Sequence, residues 1–156
     1  MRSEFRLDIA ARAGKTYVPF LRTHLIRAHR LIPSAPSELS LALVGDVTMS
    51  RLHEQYMHIS GPTDVLSFLI DVMPSGRVRS GEVIVCVPEA QRQAKRHRIP
   101  VRHELLLYAL HGLLHLSGFD DRTNAEFTKM HRQEDTLLKK LGIGPVFARE
   151  PGVPGS

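Results

Sequence analysis

The chain has 156 residues, of which 42% are hydrophobic and 24% charged, with a formal net charge of +5 and a single cysteine, Cys86. These values exclude a disordered chain, a pair of well-filled domains, an internal disulfide framework and a zinc site built from cysteines. Because no apolar run reaches the roughly 18 residues of a membrane helix and the charged N-terminus lacks the apolar stretch of a signal peptide, we expect a cytoplasmic protein with no membrane partner.

Runs of alternating or continuous apolar residues predict four strands, and the segments between and after them carry apolar residues at helical spacing. The predicted strands cover residues 5–9, 39–44, 65–70 and 82–87. The predicted helices cover residues 16–30, 48–57, 88–98, 100–117 and 123–141. Thr123 and Glu126 fit a capping box at the start of the last helix, and Gly142 is placed to end it.

Buried strands with helical connections predict an α/β (α+β) fold. We expect a single domain over residues 1–144, with a mixed, mostly parallel four-stranded sheet flanked by helices. The strand order does not follow from the sequence. Residues 145–156 are rich in proline and glycine, which predicts a flexible C-terminal tail.

Arginine supplies 16 of the 21 basic residues, and two basic blocks, 1–30 and 77–103, alternate with acidic segments. The planar guanidinium group suits bidentate contacts with phosphate. Within the second block, one predicted helix carries four basic residues that either follow a phosphate backbone or form a solvated face. These residues are Arg92, Lys95, Arg96 and Arg98.

The stretch HGLLHLSGFDD, residues 111–121, has the spacing of a metal site. On a helix, His111 and His115 share one face with Cβ atoms about 5–6 Å apart, so both imidazoles reach one ion with bonds of about 2.0–2.1 Å. Gly118 can reverse the chain after the helix, which allows the Asp121 carboxylate to return to the same ion. Because three protein ligands leave a position for water, as in catalytic zinc sites, we predict one zinc ion here, at the end of a core helix. Residues 1–144 are accordingly expected to form a metal-dependent hydrolase domain.

Two other interpretations of this stretch stay open. Histidines on an apolar helix also occur as core residues that hydrogen-bond to the backbone. The spacing further resembles the HExxHxxGxxH pattern of zinc peptidases, but Gly112 stands where that pattern has its general-base glutamate. This substitution argues against peptide hydrolysis by the usual route.

The same stretch resembles HGxLHLxG(Y/F)DH, the signature of the YbeY endoribonucleases, which are zinc-dependent bacterial enzymes of ribosomal RNA maturation. A second motif of that family, PTDVLSF, is intact at residues 62–68. Residues 39–56 resemble the family's strand and the helix that ends in LNxxYR, and residues 81–86 resemble its GD(I/V)xIS strand. His103-Glu104-Leu105 leads into the zinc helix as in the family, so the resemblance covers roughly residues 38–142.

This resemblance implies a zinc-dependent, single-strand-specific endoribonuclease that acts in ribosomal RNA processing and ribosome maturation. The expected partners are RNA and ribosomal particles, and we favour a monomer. The resemblance also places Asp121 at the family's third ligand, a histidine, whereas Asp120 matches the family's own aspartate. No general acid or base is assigned.

Two departures from the family pattern affect the expected activity. The charge of Asp121 makes the bound ion a weaker Lewis acid than a third histidine would. Met57 stands where the family has an arginine associated with activity, and a methionine cannot hold a phosphate. Both departures motivate the alternative function, a ribosome-associated RNA-binding factor with a structural zinc site and little catalysis.

Several further residues have two possible roles. The motif residues Thr63, Asp64 and Ser67 either act at the site or cap a turn. We expect the remaining candidates to have structural roles. His97 and His103 are predicted to be surface residues or neighbours of the metal ligands. Met49 and Met57 are predicted to be packing residues, and Cys86 an inert core thiol.

Overall fold

The computed structural model describes residues 4–144, and within them it confirms the four strands and the helices predicted between and after them. The strands are β1 (Arg6–Ala11), β2 (Glu38–Val44), β3 (Val65–Val72) and β4 (Val78–Cys86). The helices are α1 (Val18–Arg30), preceded by a 3₁₀ turn (Lys15–Tyr17), α2 (Asp46–Met57), α3 (Val87–His97), α4 (Val101–Leu116) and α5 (Asn124–Lys140). No helix of this part of the chain is long and apolar enough to cross a membrane. The predicted tail, residues 145–156, lies outside the described residues.

The sheet is mixed and mostly parallel, as predicted, with the strand order β1-β2-β4-β3. β2 lies parallel to both β1 and β4, whereas the edge strand β3 runs antiparallel to β4. The antiparallel pair follows from the short connection between β3 and β4, since parallel neighbours need a longer crossover. Gly76 supplies the positive φ of that turn, and the amide of Met73 donates to the carbonyl of Arg77 at 2.8 Å.

β4 differs from its prediction at both ends. It begins at Val78, four residues earlier than expected, because its start pairs with the end of β3 across the hairpin. It ends at Cys86, and Val87 opens α3, because Pro88 in the first turn of that helix needs no amide donor. Both differences concern the boundaries and leave the element itself as predicted.

Helix α4 forms the centre of the molecule. Eleven of its sixteen residues are buried, because it contacts β3 and β4 on one side and α1, α3 and α5 around the others. A helix enclosed in this way is apolar nearly all round, and each buried leucine contributes about 1.5–3 kcal/mol. The position of α4 is therefore set by the hydrophobic core.

Two glycines allow α4 to lie close against β4. A Cβ atom on Gly112 would lie 2.6 Å from Cγ1 of Val83, and one on Gly81 would lie 2.6 Å from Cδ1 of Leu116. Neither space holds a methyl group unless the neighbouring side chain moves. Helix and strand therefore approach more closely than they could with any other residue at these two positions.

Helix α2 covers the opposite face of the sheet, where Met49 and Cys86 belong to a second apolar cluster. The Cys86 thiol donates to Oδ1 of Asp46 at 3.3 Å, and burial raises the pKa of this thiol to about 11. Cys86 and Met49 are therefore buried as predicted. The packing role predicted for Met57 is wrong, because this last residue of α2 is 53% exposed.

Gly112→Ala tests the close packing of α4. The substitution gains about 1 kcal/mol of helix propensity, but overpacking against Val83 costs about 1–3 kcal/mol. We expect the strain to prevail and the free energy of unfolding, measured by urea denaturation, to fall by about 1 kcal/mol.

Val83→Ala and the double variant complete a double-mutant cycle for this contact. Because Val83→Ala makes room for the new methyl group, the double variant should be more stable than the sum of the single effects, by about 0.5–3 kcal/mol. Additive effects would contradict the proposed clash.

Candidate metal centre

His111 and His115 lie one turn apart near the end of α4, and their Nε2 atoms are 3.1 Å apart. Oδ2 of Asp121 lies 3.7 Å from the first of these atoms and 3.6 Å from the second. Tetrahedral ligands at about 2.0–2.1 Å from zinc are separated by about 3.3 Å. The structure thus brings the three predicted residues together into a group that could hold a metal ion, with all ligand atoms within 4.8 Å of one another.

The turn after α4 carries Asp121 back to the histidines. Gly118 has a φ of 101°, and its amide donates to the carbonyl of His115 at 3.2 Å. The amide of Phe119 donates to the carbonyl of Leu114 at 3.0 Å, which completes a Schellman motif. The chain reversal expected at Gly118 is confirmed.

The two neighbouring aspartates have different partners. Asp120 accepts from the amide of Asp121 at 2.8 Å and from Nε of Arg122 at 2.9 Å. These contacts engage both carboxylate oxygens of Asp120 and leave the carboxylate of Asp121 beside the histidines. The geometry therefore favours Asp121 over Asp120 as the oxygen ligand.

Glu134 on α5 is a residue of the site that the sequence analysis missed. It is fully buried, and its Oε1 accepts from Nδ1 of His111 at 2.8 Å. Because a carboxylate only accepts, Nδ1 of His111 carries the proton and Nε2 presents its lone pair to the ion. A carboxylate behind a ligating histidine in this way fixes the ring orientation and raises its basicity.

The sequence does hold one signal for Glu134. The buried stripe of α5 contains Met130, Leu137 and Leu138, and Glu134 lies on that same stripe. A single acidic residue on an apolar helix face is buried only with a partner. That partner comes from α4, 23 residues earlier in the chain.

The two histidines have opposite pKa shifts. Burial acts to lower the pKa of His111, but the hydrogen bond and charge of Glu134, with the charges of Asp121 and Asp64, outweigh it and raise the pKa. Burial and then the neighbouring charge of His111 lower the pKa of His115. His115 is therefore kept neutral, the form in which an imidazole binds a metal.

The position of Gly112 explains why a zinc-peptidase base is missing. A side chain at this position would point into Val83 of β4, not toward the ligand group. A general-base glutamate therefore has no room there.

A cavity of about 470 Å³ opens beside His111 and Glu134. Besides His111, the candidate residues Thr63, Asp64, Arg96 and His97 line it. Asp64 also accepts from the amide of Val65 at 2.7 Å, so it stabilises the start of β3 as well. Two further polar residues of α4, Glu104 and Tyr108, form part of the wall and carry no role in the sequence analysis.

The other candidates lie elsewhere. Ser67 is half-buried on β3 opposite Val83, and the His103 ring faces Phe20 at 5.9 Å. Arg92 makes a bidentate ion pair with Asp46, with both distances 2.9 Å. Lys95 and Arg98 are exposed on or just after α3.

The two basic blocks do not meet around the cavity. Among the residues that line it, Arg96 comes from block 77–103 and none comes from block 1–30. Arginines of the first block instead support the fold. Arg22 donates to the carbonyl of Leu7 at 3.1 Å, and Arg27 donates to that of Lys140 at 3.5 Å.

Comparison with known sequences agrees with these features. The sequence model of the family described as Endoribonuclease YbeY matches residues 13–142. The chain belongs to the YbeY family. The matched range contains the three residues of the ligand group, together with Glu134 and the cavity wall.

Two YbeY relatives, both named Endoribonuclease YbeY, illustrate the match. The protein of Rhodococcus opacus (strain B4) is 39% identical over 111 residues, which cover 65% of this chain and 62% of the relative. The protein of Anaeromyxobacter sp. (strain Fw109-5) is 33% identical over 147 residues, which cover 94% of this chain and 77% of the relative. The chain thus spans less than two thirds of the length of the first relative.

A solved structure shares the fold of this YbeY family member. The solution structure of TM1509 from Thermotoga maritima matches with a TM-score of 0.59 and covers 94% of this chain and 99% of its own. The sequence identity is 24%, so this likeness concerns the fold alone.

Asp121→Ala and Asp121→His test the third ligand. Loss of a hydrogen bond to a metal ligand lowers metal affinity by about 10- to 100-fold. The alanine variant leaves only two ligands, so its zinc affinity should fall further than that. The histidine variant keeps three ligands and should retain zinc. Competition with a chromophoric chelator measures both affinities, and Asp8→Asn, on exposed β1, serves as the control. Wild-type affinity in Asp121→Ala would exclude Asp121 as a ligand.

Glu134→Ala tests the support behind His111. Without the acceptor, the His111 ring loses its fixed tautomer and orientation, so zinc affinity should fall by about 10- to 100-fold. Glu134→Gln keeps an acceptor oxygen and should lose less. The matched control is Glu54→Ala, at an exposed position of α2. Equal affinities in wild type and Glu134→Ala would contradict this role.

Proposed function

We propose that this chain is a zinc-dependent endoribonuclease that cleaves single-stranded RNA in ribosomal RNA processing and ribosome maturation. The observation that carries the proposal is the convergence of His111, His115 and Asp121 within 4.8 Å, beside a cavity, in a member of the YbeY family. The names of the matched relatives support the endoribonuclease activity. The ribosomal substrate, the cytoplasmic location and the monomeric state rest on the sequence motifs and composition.

The number of ligands favours catalysis over a closed structural site. Structural zinc sites usually have four protein ligands, whereas catalytic sites have three and keep one position open. Within residues 4–144, the candidate group has three members, and each is partly exposed to solvent. Glu134 does not provide a fourth ligand through Oε1, because that atom accepts from Nδ1 of His111.

The residues of the chain have distinct roles in this proposal. His111, His115 and Asp121 would hold the zinc ion, and the bound ion would supply Lewis-acid polarisation of a phosphoryl oxygen and acidification of water. Glu134 orients His111. Arg96, at the wall of the cavity, offers a positive charge for an RNA phosphate.

A second candidate is an RNA-binding factor with a structural zinc ion. Two observations favour it: Asp121 replaces a histidine, and Met57, in place of the family's arginine, is exposed without a phosphate-binding group. Such a protein would bind RNA with strong salt dependence but would not cleave it. RNA cleavage therefore separates the two functions.

The double variant His111→Ala/His115→Ala tests the enzymatic proposal. It removes two ligands, so both the zinc content and the cleavage of single-stranded RNA should fall to background. Zinc is measured by elemental analysis and cleavage by gel electrophoresis, with a chelator-treated wild type in parallel. His24→Ala, on α1, is the matched control and should keep both properties. Cleavage by the zinc-free double variant at the wild-type rate would overturn the proposal.

A further inference from the structure

We propose that Ser34, in the α1–β2 loop (residues 31–37), is a positioning residue of the metal centre. Its hydroxyl group fixes the peptide unit from which the chain turns back to bring Asp121 to the two histidines. The loop that carries Ser34 is in turn held by Arg77 of the β3–β4 hairpin. This inference rests on the proposed function, because it concerns the geometry of the zinc site, and it adds two residues that lie outside that site.

The hydrogen bond of Ser34 joins two distant parts of the chain. Its hydroxyl donates to the carbonyl of Ser117 at 2.7 Å, across 83 residues of sequence. Ser117 is the buried residue at the end of α4, between His115 and Asp121. The last carbonyls of a helix have no partner within the helix. Ser34 therefore supplies a partner from outside, where the helix that carries the histidines passes into the turn that carries the aspartate.

The peptide unit between Ser117 and Gly118 is held at both of its polar groups. Its carbonyl accepts from Ser34, and its amide, which belongs to Gly118, donates to the carbonyl of His115 at 3.2 Å. Because a peptide unit is planar, these two contacts together fix its orientation. Gly118, with a φ of 101°, begins the chain reversal from this plane. The direction in which residues 119–121 leave the helix is therefore set in part by Ser34.

Asp121 is the member of the ligand group that most needs such support. The two histidines are carried by α4, whose position is set by the hydrophobic core, whereas Asp121 lies in the turn after it. Its side chain is 37% exposed, against 23% for His111 and 26% for His115. A ligand on a turn loses conformational freedom when it binds a metal ion, and this cost is smaller when the turn is already fixed. Support before Gly118 therefore favours metal binding.

The α1–β2 loop is itself anchored, so it presents Ser34 from a fixed position. Ile32 and Ala35, which bracket Ser34, are 3% and 2% exposed. The guanidinium group of Arg77 donates to the carbonyls of Pro33 and Ala35 at 3.2 and 3.1 Å. These two carbonyls belong to the residues directly before and after Ser34. The loop therefore cannot move away from α4 without losing the contacts of Arg77 and exposing apolar side chains.

Ser37 in the same loop provides an internal comparison. Its hydroxyl also donates to a backbone carbonyl, that of Arg79 at 3.2 Å, but Arg79 lies on β4 and not at the end of α4. The two serines thus make the same kind of bond from the same loop to different elements. If both bonds only stabilised the fold, their removal would have similar consequences. If Ser34 positions the turn, only its removal affects the metal centre.

Zinc affinity, measured on the full-length chain by competition with a chromophoric chelator, tests the proposal. Ser34→Ala should lower the affinity by about 2- to 10-fold, the factor that corresponds to one ordinary hydrogen bond. Ser34→Thr keeps the hydroxyl group and should bind zinc nearly as tightly as wild type. Ser37→Ala is the matched control and should have wild-type affinity, although it also loses one bond from a serine to a carbonyl. Urea denaturation of the metal-free proteins checks that each variant is folded.

Cobalt substitution gives a second measurement, which a loss of stability alone does not change. The visible absorption of bound Co²⁺ depends on the number and geometry of its ligands. With the turn released, Ser34→Ala should show an altered Co²⁺ spectrum at saturating metal. Ser37→Ala should keep the spectrum of the wild type.

Arg77 acts through Ser34, so the effects of the two substitutions should not add. Arg77→Ala alone frees the loop and should also lower the zinc affinity. In the Ser34→Ala background the same change should have little further effect, because the bond to Ser117 is already lost. Additive losses of affinity in the double variant would overturn the role of Arg77.

Three results would each overturn the positioning role of Ser34: wild-type zinc affinity in Ser34→Ala, an equal loss of affinity in Ser37→Ala, or an unchanged Co²⁺ spectrum in Ser34→Ala. The proposed function fails separately. A wild-type chain that binds zinc but cuts no RNA overturns the endoribonuclease, and the role of Ser34 stands if the variants bind zinc as expected. A wild-type chain that cuts RNA, together with a Ser34→Ala variant of wild-type zinc affinity, overturns the positioning role alone.

Discussion

The close contact between α4 and β4 is the constraint on which the rest of the structure depends. Gly112 lies against Val83, and Gly81 lies against Leu116, so the helix is held on the strand without an intervening side chain. With that side of α4 fixed on the sheet, His111 is presented beside α5 and the cavity, and His115 lies one turn further along the helix. The same contact explains why this metal motif has glycine after its first histidine. A larger residue would displace the helix that carries both imidazoles.

The parts of the site that the sequence predicts are those set by short-range geometry. His111, His115, Gly118 and Asp121 lie within eleven residues, so helical periodicity and one chain reversal are enough to bring them together. The strands and helices were likewise predictable, because each carries its own periodicity and end signals. Their boundaries differ from the prediction by at most four residues, and strand pairing and a proline account for the two ends of β4.

The parts that the sequence does not predict depend on contacts between distant segments. Glu134 reaches His111 only because α5 packs on α4, and the cavity needs the start of β3, α3, α4 and α5 to meet. Charge patterning was also an incomplete guide. Arg22, Arg27 and Arg92 belong to blocks that suggested phosphate binding, but each makes a hydrogen bond or ion pair that supports the fold. Net charge describes a segment, whereas the direction of each side chain follows from the tertiary structure.

Under the proposed function, an aspartate as the third ligand, where the family motif has a histidine, would change the electrostatics of the whole centre. A zinc ion carries two positive charges, and the carboxylates of Asp121 and Glu134 together balance them, whereas a third histidine would leave the centre positive. A neutral centre would attract RNA phosphates less strongly, and the acidic residues Asp64, Glu89 and Glu104 that line the cavity would add to that effect. The attraction for RNA would then come from exposed basic residues such as Lys95 and Arg96. Under the proposed function, RNA binding would therefore depend more on the basic surface of the chain than it would with three histidine ligands.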